Sequence, residues 1–194
     1  MALARALGLA VGAGVNLYAT VLVLGLAARY EWVALPEAFD PLASSWVIGV
    51  AGALYAVEFL ADKVPWIDTA WDLLHTLVRP IGAAVIAVTA LGPADPGMQT
   101  MAAVLGGAIG ASAHAAKAGT RLAVNTSPEP VTNIGASLLE DGFVVGLVVL
   151  LITYPWIGVA VAGLALTAVA VIAVLLVRLW RRRRTGEPTA TSAR

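Results

Sequence analysis

Cysteine is absent from the 194 residues. That excludes disulfides, iron–sulfur clusters and thiolate metal sites, and says little about compartment. Charge is scarce as well. Asp, Glu, Lys and Arg make up 12% of the chain, against roughly one-quarter in an ordinary soluble domain. Acids and bases number 12 each, so no net charge draws the chain toward nucleic acid, and none is expected as a partner. What is there instead is apolar: 60% of residues are hydrophobic and the mean hydropathy is +0.87. Long apolar runs in such a chain point to a polytopic membrane protein whose main surroundings are a lipid bilayer.

At ~20 residues per crossing, six apolar stretches can be counted: residues 6–28, 45–61, one ending at 91 before Gly92-Pro93, 99–118, one ending at 153 before Tyr154-Pro155, and 156–177. The first is too long for the core of a signal peptide, and Asn16 and Tyr18 interrupt it. The expectation is an all-α bundle of six transmembrane helices, residues 1–184, with a short disordered polar tail over 185–194.

Arg178 and Arg181 to Arg184 follow the last stretch and place the C-terminus in the cytoplasm. Six crossings then put the N-terminus there too. The loops with Lys63 and Arg79, and with Lys117 and Arg121, fall on the same side, while Glu31, Glu37, Asp40 and Asp95 fall outside. Trp32, Trp46 and Trp156 at outer ends, and Trp66, Trp71 and Trp180 at inner ends, fit interfacial belts.

Asp68, Asp72, His75 and Arg79 are spaced four, three and four residues apart, within about 60° on one helix face. His114, Lys117 and Arg121 share a second face, continued outward by Gly107 and Gly110, small residues that permit close helix approach. Asn133, Ser137 and Glu140, with Asp141 beside them, form a third, and Glu58 and Asp62 end the second stretch. The third and fifth stretches are too short without their polar parts, so these residues belong below the headgroups. An ionised side chain at mid-bilayer costs ~2.5–3.5 kcal/mol on insertion scales, so the stripes should face one another or a water-filled cavity open to the cytoplasm. Residues 46–93 and 99–155 each contain a span, a polar hairpin and a short span ending near Pro, a weak parallel repeat.

Three stretches carry a resemblance: "GAGVNLYATVLVLGLAARY" near the start, "EFLADKVPWIDTAWDLLHTLVRPIGA" from Glu58 to Ala83, and "AVNTSPEPVTNIGASLLED" from Ala123 to Asp141. They resemble a bacterial membrane family catalogued as domain of unknown function 4126. The resemblance implies a small multi-pass inner-membrane protein and brings no activity, ligand or cofactor with it.

The residues themselves suit three roles. From Glu58 to Asp141, seven acids (Glu58, Asp62, Asp68, Asp72, Glu129, Glu140, Asp141) face four bases (Lys63, Arg79, Lys117, Arg121). That surplus favours a cationic ligand, and Glu58, His75 and His114 are the chemistry of proton relays, so translocation of a small solute or ion is the leading expectation. A homo-oligomer would supply the bulk a small carrier lacks. Alternatively Asp68, Asp72 and His75 hold a divalent cation, beside Arg79, Lys117 and Arg121 for a lipid phosphate. The Pro-Ser-Gly-His and Ser-Arg blocks of an acid-phosphatase-type enzyme are missing. Third, the charges are purely structural ion pairs in an assembly protein. In "NTSPEP", Ser127 or Glu129 reads as a helix cap. Pro80 deprives the Thr76 carbonyl of its helical donor, and Asn16 is expected to hydrogen-bond across helices.

Overall fold

The computed structural model describes residues 1–125 and 130–185. The capping assigned to Ser127 or Glu129 and the tail beyond residue 185 lie outside them. Every regular element among the described residues is helical: α1 (Ala2–Val15), α2 (Leu17–Arg29), a short 3-10 helix (Glu37–Ala43), α3 (Ser45–Ala61), α4 (Pro65–Leu91), α5 (Pro96–Asn125), α6 (Pro130–Thr153) and α7 (Pro155–Thr185).

The boundaries follow local chemistry. Pro65 and Pro155 open α4 and α7, where a missing N–H costs nothing. Ser44 caps α3 through Val47 N, and Asp95 Oδ1 accepts from Met98 N at 3.0 Å at the start of α5. Gly92, at φ 72°, takes the left-handed backbone that ends α4.

Among the described residues three helices are long and apolar enough to cross a membrane: Trp66–Leu91, Val131–Thr153 and Pro155–Leu175. A fourth is reached if the 3-10 helix and α3, bent by 69°, form one broken span. With 30 residues α5 has the length, but its glycines and polar stripe make it less apolar. Along α4, Leu73, Leu74, Leu77, Ile81 and Val85 are exposed, as lipid contact requires. Helix α7 is peripheral, with 11% of its apolar window buried.

The expected first span is not a span. Asn16 is extended (φ −146°, ψ 100°) and divides the stretch into two short apolar helices. Gly8 meets Leu151 near the end of α6, and Gly12 lies against Val148 and Thr20. So α1 descends from the end where α6 meets α7, and its last turn lies beside the first turn of α2. Helix α2 then climbs back: Leu22 faces Gly52 and Gly25 faces Ile48, until Arg29 Nη1 donates to Ser45 Oγ at 2.6 Å, at the head of α3. The two helices form a re-entrant hairpin with Asn16 at its tip. Such backbone is tolerated at membrane depth only inside protein, and Asn16 is 1% exposed. Where six spans were counted, three helices or up to four among the described residues are long and apolar enough to cross, and α1 starts at the end of the bundle opposite to where α7 finishes.

Helix α1 is the centre of the molecule, touching α4, α5, α6 and α7. Glycine makes that possible. A Cβ on Gly14 would come 2.5 Å from Gly110 O, and one on Gly110 would collide with Ala83 Cβ. Gly107 and Gly110, expected to permit close approach, both face α4, and Gly106 joins them: a Cβ there would meet Ala87 Cβ at 2.5 Å.

Candidate functional site

Below the hairpin tip, the inward faces of α3 to α6 converge. Twelve of the charged or polar residues singled out above are there. Glu58, Asp62, Asp68, Asp72, His75, Arg79, His114, Lys117, Arg121, Asn133 and Asp141 are buried, and Glu140 keeps 17% of its side chain exposed.

Nine of them form one network. Arg79 bridges Glu58 at 2.8 Å and Asp72 at 3.1 Å. Lys117 continues from the same Glu58 oxygen (3.0 Å) to Asp62 (3.2 Å) and Glu140 (3.8 Å). Arg121 closes the far side on Asp62 (3.0 Å) and Glu140 (2.8 Å) and donates through Nη1 to Asn133 Oδ1 at 3.0 Å. Shared acceptors make a continuous chain from Asp72 on α4 to Glu140 on α6. Its local origin is helical spacing: residues four apart stack on one face, and in apolar helices that face can only turn inward.

The histidines flank the chain. His114 Nδ1 lies 2.8 Å from Arg79 Nη1, and its Nε2 lies 3.4 Å from Thr76 Oγ1. His75 Nε2 meets the Tyr18 hydroxyl at 2.9 Å, its Nδ1 meets the Trp71 carbonyl at 2.7 Å, and its ring lies against Trp71. The metal reading does not gather its ligands: His75 turns to Tyr18, Asp72 turns to Arg79, and among the described residues no group of three or more His, Asp or Glu side chains could hold a metal ion. The bases set aside for a phosphate are likewise engaged, each by at least two carboxylates.

The charges close on one another rather than spreading around one open polar cavity. Space remains in grooves between helices. One of about 270 Å³ lies among α1, α5, α6 and α7, with Lys117 and Glu140 at its edge among Val11, Val15, Phe143 and Leu166. Another, of about 380 Å³, lies between α4 and α5 and reaches Asp72 and Arg121 from Trp66 and Leu122.

The hairpin tip touches the network through Asn16 Nδ2, which donates to Asp141 Oδ1 at 3.1 Å. This is the cross-helix bond expected of Asn16. Tyr18, Tyr55 and Trp71 also belong to the site and were not singled out as part of it. Tyr55 turns its hydroxyl toward Asp141. Their only sequence signal is a polar tip on an aromatic ring inside an apolar helix.

A family model described as a domain of unknown function, DUF4126, matches residues 3–181. No curated protein and no solved structure matches the chain.

Proposed function

The chain belongs to this family of unknown function, so its activity has to be argued from its own residues, and we propose that it translocates a small ion or solute across the bacterial inner membrane by proton-coupled chemistry in the buried network. One observation carries the reading. Six buried or half-buried acids (Glu58, Asp62, Asp68, Asp72, Glu140, Asp141) face four buried or half-buried bases (Lys63, Arg79, Lys117, Arg121). A bundle fastened only by ion pairs has no use for such a surplus, because each additional carboxylate costs desolvation without a matching cation. Protons or a transported cation supply the missing positive charge. The broken α1–α2 element fits the same reading, since interrupted helices at mid-depth build transporter sites.

In this reading the arginines in the last turns of α7 hold its end at the cytoplasmic face. The α3–α4 turn, the end of α5 and the start of α6 lie at that face too, as a parallel repeat would have them. Glu58, the acceptor shared by Arg79 and Lys117, is the central proton carrier, and His75 and His114 flank it. The lipid-phosphate enzyme loses ground because its bases are already paired and its metal ligands do not converge.

The test is flux. Purified full-length protein in liposomes carrying a pH-sensitive dye should dissipate an imposed proton gradient faster than protein-free liposomes. Glu58→Gln should lower the rate by about 10²-fold or more, the scale of a lost proton-transfer group, and His75→Ala should also lower it. Wild-type flux equal to that of empty liposomes, or unchanged in both variants, overturns the proposal.

A further inference from the structure

Among the buried acids Asp141 stands apart. Glu58, Asp62, Asp72 and Glu140 each meet a lysine or arginine. Asp141, 6% exposed, forms no such pair among the described residues; the neutral Asn16 amide holds Oδ1, and Oδ2 is left buried without a hydrogen-bond partner. One turn earlier on the same face, Ser137 is 0% exposed and its Oγ also lacks a partner. Two unmet oxygens on one helix face are costly in a bilayer interior.

A second observation comes from the hairpin tip. The extended Asn16 carries the following N–H groups off the α1 axis, and Ala19 N–H goes to Asn16 Oδ1 instead of the Val15 carbonyl. The carbonyls of Ala13, Gly14 and Val15 thereby lose their helical donors at the negative end of the α1 dipole. The opposing end, the start of α2, is capped: Asn16 Oδ1 accepts from Ala19 N, and Asn16 O accepts from Thr20 N and Thr20 Oγ1. The break therefore presents acceptors, beside an acid that no lysine or arginine among the described residues meets at ion-pair distance, Lys63 and Lys117 lying further off.

We propose that the tip of the re-entrant hairpin is a sodium-ion site, formed by Asp141 Oδ2, Ser137 Oγ and carbonyl oxygens from the last turn of α1, with Asn16 positioning Asp141. One carboxylate with neutral oxygens matches a monovalent hard cation. Divalent ions ask for more carboxylates or a retained water shell, and carbonyls at a half-helix C-terminus beside a buried acid are how sodium is held in broken transporter helices. The inference deepens the translocation reading and rests on it for the use made of the ion, but it is tested by equilibrium binding.

Full-length protein in detergent is melted at constant ionic strength in choline chloride with increasing sodium chloride or potassium chloride. Sodium should raise the melting temperature saturably, and potassium should do so far less. Asp141→Asn should weaken the sodium response by about tenfold or more, with Ser137→Ala weakening it in the same direction. Helical circular dichroism and a monodisperse elution profile establish that each variant is folded. If Asp141→Asn fails to fold, the isosterically milder Ser137→Ala decides alone. Equal responses to sodium and potassium, or a sodium response undiminished in the folded variants, overturns the site. Sodium binding without proton flux upholds the site and sinks the translocation reading; proton flux without sodium binding does the reverse.

Discussion

Arg121 engages the network with its whole guanidinium: Nε and Nη2 on Glu140 Oε2, Nη2 on Asp62 Oδ2, and Nη1 on the Asp62 carbonyl and Asn133 Oδ1. Helices α5 and α6 and the turn after α3 are tied by one side chain that is 1% exposed. Its removal leaves Asp62 with Lys117 alone and takes the fork from Glu140. Arg121→Leu should therefore destabilise the protein by ~3–5 kcal/mol, the cost of orphaning a buried charge, read as a lowered melting temperature in detergent. Arg121→Lys should recover only part of that, because a single ammonium cannot reproduce a planar fork on four acceptors. A variant Arg121→Leu that melts with the wild type would show that the network contributes nothing to stability.

At the scale of elements, the glycine contacts separate two kinds of position. Gly110 is where α1, α4 and α5 meet, with Ala83 in the path of any Cβ and the Gly14 backbone against its carbonyl. Gly142 and Gly146 have open space where a Cβ would go. Gly110→Ala should cost ~1–3 kcal/mol through overpacking, whereas Gly142→Ala should be neutral or slightly stabilising, since helix propensity favours alanine. Equal melting temperatures for the two would refute the three-helix crossing. The same contrast explains what could be read in advance. The stripes on α3 to α6 were legible because charges four residues apart in an apolar helix have one tolerable orientation. The break at Asn16 was not, because an apolar stretch of this length serves equally as one crossing or as two half-helices folded together. The local clue is "GAGVN": two glycines at the end of a helix, then an asparagine able to cap the next. The proposed ligand grouping of Asp68, Asp72 and His75 failed for a related reason. A shared helix face does not say which neighbour each side chain meets, and Arg79 and Tyr18 claimed two of the three.

For the whole molecule, the re-entrant hairpin changes the sidedness of the chain. With α1 leaving and α2 returning to the end of the bundle where α3 and α7 begin, the proposed reading puts residues 2 and 37 on one face of the membrane and residue 185 on the other. A straight first crossing would instead place residues 2 and 185 together. The absence of native cysteine allows a clean test by single substitutions Ala2→Cys, Glu37→Cys and Thr185→Cys. A membrane-impermeant maleimide added to sealed right-side-out vesicles should label the first two and reach the third only after permeabilisation, if the arginine-rich end of α7 lies inside as proposed. Labelling of Ala2→Cys together with Thr185→Cys would unfold the hairpin into a span. It would also carry Asn16 away from Asp141, removing the hairpin tip from the network.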